Sequence, residues 1–416
     1  MSISRDRSLI AFNKAAAWSM YLMVFVLPFS KSMVEIFFVT ALVSVVARKL
    51  IARESFRWNV PVDICLGLVV ATALISLFNT QYLALSARAF FTKSLKFALL
   101  FLVAREALNT REKLNDFLVM AFLSCLVILA DGFIQHFVTQ VDLLHNYPSF
   151  GFDPAGRPFY EPSHRGFPTA SFPYPNDFAA WIIMFAFPVA VCALFAKGGW
   201  VKRLALGCAA LCLLYLLILT KTRAAWLGFL TALVLVPLFR LSLKKALVVA
   251  LVVALLAPFA VTRSVRSAAT SLVGVNDRMT MWKNGWKIFV KHPVIGNGLN
   301  TFFVNYMNVR EDEDKGKKGG YAHNCYLQMA ADTGLAGLGA FLVFVIAVMG
   351  SAWRSLKELA DPSLYALAAG LMLGLVAFLV HSFFDTNLYS LPLAALFWLA
   401  MGVLTAIPMM QKATTT

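Results

Sequence analysis

Long apolar runs alternate along the chain with short polar breaks. About 20 apolar residues are needed for a helix to cross bilayer hydrocarbon. Such runs number about twelve: 14–30, 31–51, 61–79, 88–104, 113–137, 176–197, 200–220, 223–241, 243–262, 333–353, 363–386 and 389–409. The pattern predicts an all-α polytopic membrane protein, one integral membrane domain over residues 1–416. The first run follows Arg5, Arg7 and Lys14 and leads straight into the second without a small-residue cleavage site, so it is expected to be a retained anchor.

Two breaks, 138–175 and 263–332, are too long to be simple connections; loops of that length carry function or are disordered. The first is rich in proline and aromatic residues, which favours a packed, extended segment over a flexible tether. In the second, Met279, Trp282, Trp286, Phe289 and Val290 share one helical arc and Lys283, Lys287 and Lys291 the next. That arrangement predicts a helix, either lying in the membrane interface or packed on the roof of the protein itself. Pro293, Gly296 and Gly298 end it. The charged run "EDEDKGKKGG" (311–320) reads as a solvated loop and lacks the spaced ligands of a calcium site.

Short loops rich in Lys and Arg stay on the cytoplasmic side. With the N-terminus inside, every inner segment carries basic residues, among them Arg48, Lys49, Arg105, Arg111, Lys197, Lys202, Lys244 and Arg354. Both termini are then cytoplasmic, and both long loops are outside. Composition fits this picture: 60% of residues are hydrophobic and 14% charged. That excludes an ordinary soluble domain. The net charge is +16, and the expected partners are membrane lipids, not nucleic acid. The cysteines fall mostly within spans, so no disulfide framework is expected.

Ionisable side chains in or at the ends of spans are expensive and mark function by default. Here they gather at the outer rim: Arg88, Lys93 and Lys96; Asp131; Asp177; Lys221 and Arg223; His381 and Asp385. Cations on the translocated side resist insertion, so their presence there has a purpose. Arg and Lys clustered at a hydrocarbon boundary bind anionic headgroups, a diphosphate best of all. Headgroup anchoring accounts equally for Lys93 or Lys96 taken singly. His323 stands at the end of the second long loop, immediately before a span and beside Asn324, facing the same compartment. An imidazole there can exchange a proton near neutral pH, as a general base must.

Several segments, in order along the chain, resemble the O-antigen ligase and polymerase family of membrane glycosyltransferases: "SFPYPNDFAA" (171–180), "LTKTRAAWLG" (219–228), "DRMTMWKNGWKIFVKHPVIGNGLNTF" (277–302), "AHNCYLQMAADTGLAGL" (322–338) and "HSFFDTNLYSLPLAALFW" (381–398). Thr222 stands where many relatives have serine, which keeps the hydroxyl. The resemblance implies transfer of a sugar chain from undecaprenyl diphosphate at the periplasmic leaflet, without metal or cofactor. It implies that Arg223 and Arg278 hold the diphosphate and that His323 acts on the acceptor hydroxyl. Lys221, Arg88, Asn324 and Trp226 are further candidates for substrate contact.

The ligase reading, with lipid A-core oligosaccharide as acceptor, fits the chain length and the compact C-terminal end. A polymerase joining two carrier-linked substrates stays open, and so does a transporter or flippase of anionic lipids. Transporters place ionisable sites near the bilayer midplane, which here is nearly bare.

Overall fold

The computed structural model describes residues 2–147, 149, 151–152, 158–159, 166–239, 268–311 and 320–412. Its helices are α1 (Ser2–Val26), α2 (Lys31–Ala52), α3 (Val60–Ile75), α4 (Leu83–Ala89), α5 (Lys96–Ala107), α6 (Arg111–Ile134) and α7 (Pro175–Phe195). They continue as α8 (Trp200–Thr220), α9 (Arg223–Leu235), α10 (Ala268–Phe289), α11 (Phe302–Val309), α12 (Cys325–Leu356), α13 (Pro362–His381) and α14 (Leu391–Lys412). A π-helical turn at Phe90–Leu95 joins α4 to α5. Among the described residues the only strands are the antiparallel pair Gly151–Phe152 and Pro158–Phe159.

The protein is an all-α polytopic membrane protein. Among the described residues, 8 helices are long and apolar enough to cross a membrane, against about twelve expected. The difference has local causes. Helix α2 carries Lys31, Glu35, Arg48 and Lys49, and the helical run through the π-turn carries Arg88, Lys93, Lys96 and Arg105. The run expected at 223–241 is a shorter helix, Arg223–Leu238. The run expected at 243–262 lies outside the described residues.

Side-chain caps fix several helix starts. Ser30 accepts from the Met33 N–H, Thr110 from Lys113 and Asp361 from Ser363, each satisfying a donor that the first helical turn leaves open. Between helices in lipid, association depends on close packing by small residues. Helix α13 is the hub, packed against α7 and α9. A Cβ on Gly370 would stand 2.6 Å from Pro188 Cα of α7, and one on Gly228 of α9 would stand 2.3 Å from the Ala377 carbonyl oxygen. Since α7 and α9 both run antiparallel to α13, this packing gathers their N-termini and the C-terminus of α13 at one end of the bundle.

The other end is held by charge. Glu106 is fully buried and receives Lys49 Nζ at 2.9 Å, Arg48 Nη2 at 3.5 Å and the Arg57 N–H at 2.5 Å. Beside it Arg105 grips Asp63 at 2.7 and 3.2 Å. Several cations that fix the expected orientation are thus also structural, tying α2 and α3 to α5.

Helix α10 buries an arc different from the one the sequence singled out. Met281, Asn284, Gly285, Ile288 and Phe289 face the protein, and Met279, Trp286 and Val290 are exposed. The buried arc joins Phe302, Tyr306, Ala322, Ala330 and Ala331 in a second, smaller core. The helix packs on the protein and still presents aromatic surface outward. At its polar edge Glu311 receives Lys287 at 2.6 Å and Lys283 at 3.2 Å, and these bonds hold its carboxyl below the usual range. Residues 312–319 of the charged run lie outside the described residues.

Candidate active site

The site is built from three helix ends and one broken helix. Helix α12 starts at Cys325 because Asn324 caps it: Asn324 Oδ1 accepts from the Tyr326 and Leu327 N–H groups, both at 3.0 Å. The Asn324 oxygen is therefore occupied by the cap. The helix breaks at Gly334, whose φ of 68° and ψ of −174° are non-helical. The break leaves backbone groups without intrahelical partners, and the glycine-x-glycine loop supplies them. Asn297 and Gly298 donate to the Ala331 and Asp332 carbonyls, and Leu335 and Ala336 donate to those of Pro293 and Val294. A Cβ at Gly334 would lie 2.2 Å from the Val294 carbonyl oxygen, so loop and break fit only with glycine there.

His323 precedes the cap with a φ of 49°, the left-handed region that non-glycine residues seldom occupy. Its neighbours impose that conformation. Trp282 Nε1 of α10 donates to the His323 carbonyl at 3.4 Å. The Cys325 N–H donates to the Ser382 carbonyl at 2.9 Å, and Cys325 Sγ bonds the Asp385 carbonyl at 3.1 Å. These contacts pin the loop after α13 against the start of α12. Strain of this kind, held by surrounding structure, concentrates at functional sites.

The His323 Nδ1 lies 3.3 Å from Asp385 Oδ1. An ionised carboxylate only accepts, so Nδ1 donates to it; whenever the imidazole is neutral, its lone pair is on Nε2. The imidazole is 38% exposed and the carboxylate 7%. Asp385 is itself held on several sides: Oδ1 also accepts from the Thr386 N–H at 2.8 Å, and Oδ2 from Asn176 Nδ2 at 2.6 Å. Asn176 Oδ1 in turn accepts from Thr222 Oγ1 at 3.2 Å. Burial pushes the Asp385 carboxyl up, but the hydrogen bond and charge of His323, with His381 and Arg278, outweigh it and hold the group well below the usual carboxylate range. The chain Thr222, Asn176, Asp385, His323 links four of the quoted sequence segments.

Arg278 reaches the network by charge, acting on both Asp385 and His381. His381, fully buried at the end of α13, has neither ring nitrogen hydrogen-bonded. Arg223 is exposed at the first residue of α9, directly after Thr222, and Lys221 directly before it has a left-handed backbone. Lys221 Nζ stands 4.4 Å over the Phe167 ring, drawing the first long loop toward the same edge. Trp226, one turn into α9, is half-buried, with its indole N–H buried and unbonded. Arg88 is exposed on α4, and none of its described contacts reaches His323. The rim cations also divide: Lys93 bonds Asn300 at 2.5 Å, while Lys96 pairs with Glu35 at 2.5 Å.

A family model described as O-antigen ligase matches residues 208–342. Residues 208–342 are thus similar to that family. No curated protein matches the chain. The matched segment contains Arg223, Arg278 and His323, while Asn176 and Asp385 come from outside it. Asp385, Asn176 and Thr222 were missing from the expected site. Each stands in a segment that the sequence singled out, and Asp385 was already visible as a charge at the end of a span. Their partners, 46 to 209 residues away, were not.

Proposed function

We propose that this O-antigen ligase family protein is a metal-independent glycosyltransferase of the bacterial inner membrane. It transfers O-antigen from undecaprenyl diphosphate to lipid A-core oligosaccharide at the periplasmic face, with both termini cytoplasmic. The observation that carries the reading is the His323 Nδ1 to Asp385 Oδ1 contact at 3.3 Å, flanked by Arg278 and by the Thr222 turn that presents Arg223.

In this reading His323 Nε2 takes the proton of the acceptor hydroxyl as its oxygen attacks the anomeric carbon of the donor sugar. The new bond from that carbon to the acceptor oxygen forms as the bond to the diphosphate oxygen breaks, and the diphosphate leaves as an anion. Arg223 and Arg278, with Lys221, meet that charge as it grows; fixed cations there stabilise the transition state more than the ground state. Asp385 holds the imidazole in the tautomer that accepts at Nε2 and stabilises the imidazolium that forms. A single displacement inverts the anomeric centre.

The test incubates the purified protein with carrier-linked O-antigen and lipid A-core. A higher-mass lipopolysaccharide with inverted linkage is the expected product. Elongated carrier-linked chains identify a polymerase, lipid movement without a new glycosidic bond identifies a transporter, and a sugar trapped covalently on a carboxylate overturns the single displacement.

A further inference from the structure

A cavity of about 680 Å³ opens between α6, α7, α8, α13 and α14, at the end of the bundle opposite His323. That is within the range of sites that enclose small ligands, about 300–1,000 Å³. Its walls are mostly apolar, among them Phe122, Leu371 and Leu399, with exposed Val119 and Leu123 at its side, and its lining includes the cations Arg111, Lys197 and Lys202. The position of these cations follows from the chain. Arg111 begins α6, Lys197 follows α7 and Lys202 lies in the first turn of α8, all remote from the Asn176 and His381 ends. Arg111 is bridged by Asp361 at 3.2 Å. Lys197 and Lys202 are exposed, and among the described residues neither has a carboxylate at ion-pair distance. The fields of Lys202 and Arg111 both reach Cys192 in the cavity wall.

An apolar slot with cations at one end only is complementary to a molecule with an anionic head and hydrocarbon tails. We propose that this cavity binds one anionic glycerophospholipid from the leaflet on that side, with its phosphate between Lys197 and Lys202 and its acyl chains along the apolar walls. On the proposed orientation this is the cytoplasmic leaflet, where anionic lipids attract basic side chains. The site is separate from the proposed diphosphate site, which is reached from the Asn176 end of α7 and the His381 end of α13.

Native mass spectrometry of the full chain in neutral detergent tests this, with phosphatidylglycerol and phosphatidylcholine of identical acyl chains as probes. One phosphatidylglycerol is expected to be retained in preference to phosphatidylcholine. The Lys197→Gln/Lys202→Gln variant should weaken that binding about 25-fold, at about fivefold per charge. Ala205→Trp, which fills the cavity wall from an exposed position on α8, should reduce retention of both lipids. Should the glutamine variant fail to fold, Lys197→Arg/Lys202→Arg must keep the preference. Equal retention of the two lipids, unchanged binding in the glutamine variant, or displacement of phosphatidylglycerol by undecaprenyl phosphate overturns the proposal; the last assigns the cavity to a prenyl tail.

Discussion

Asp385 holds His323 from behind, carboxylate oxygen to Nδ1 at 3.3 Å, although 62 residues separate them in the chain. The same carboxylate receives Asn176 at 2.6 Å, so one buried acid joins the ends of α7 and α13 to the loop ahead of α12. The relationship predicts a shared function. His323→Ala should lower transfer by about 10²–10⁴ with insertion into the membrane intact. Asp385→Asn should lose a similar factor by favouring the wrong tautomer, and the double variant should be little worse than either single one, because residues acting as a unit are not additive. Initial rates of product formation check this; additive losses separate the two residues.

The depressed Asp385 carboxyl makes a stability prediction with a definite sign. A folded-state value below the unfolded one contributes stability that is fully present above the unfolded carboxylate value, about 3.9, and is lost as pH falls through the folded value. Asp385→Asn should therefore unfold at lower temperature than the parent at neutral pH, with the gap closing below about pH 4. Thermal melts in detergent across pH 2–7 measure it, and a gap independent of pH contradicts the assignment.

Arg223→Ala and Arg278→Ala should each weaken use of the diphosphate donor while leaving retention of the acceptor unchanged. A charge-assisted contact is worth about 1.5–3 kcal/mol, or about 10–150-fold in kcat/KM. Lysine at either position should restore part of the loss as a point charge without the bidentate geometry. Full activity in both alanine variants dismisses the diphosphate role.

Gly334→Ala tests whether the broken helix positions His323. Its φ of 68° and the 2.2 Å approach to Val294 leave no room for a methyl group. A loss of more than about 1 kcal/mol of stability is expected, together with reduced transfer. A variant with wild-type melting and activity separates the break from the site.

At the opposite end, Glu106→Ala should be among the most destabilising single changes in the chain. It strands Lys49, only 6% exposed, without its buried partner, and removal of one member of such a pair costs about 3–5 kcal/mol. Replacing Glu106 by Gln keeps the acceptor for Arg57 and should cost less. Melting temperatures of the two variants decide it, and equal melting of Glu106→Ala and the parent removes Glu106 from the charge network.

Much of this protein was legible in its residues alone. The all-α polytopic class and the two long breaks follow from hydrophobic run length, and His323 and Arg223 stood out as ionisable groups at a hydrocarbon boundary, both local properties of the chain; Arg278 was a candidate only through the family resemblance. The partners of His323 were not legible. Whether Asp385 meets His323 or faces water depends on how closely α13 approaches α7 and α9, and that is set by backbone contacts at Gly228 and Gly370. Asn324 and the exposed arc of α10 show the same limit. Sequence revealed a polar side chain at a helix start and an amphipathic pattern, but cap geometry and neighbouring surfaces decided that Asn324 caps α12 and that Ile288, not Trp286, is buried. Periodicity gives the faces of a helix, and only its packing partners choose among them.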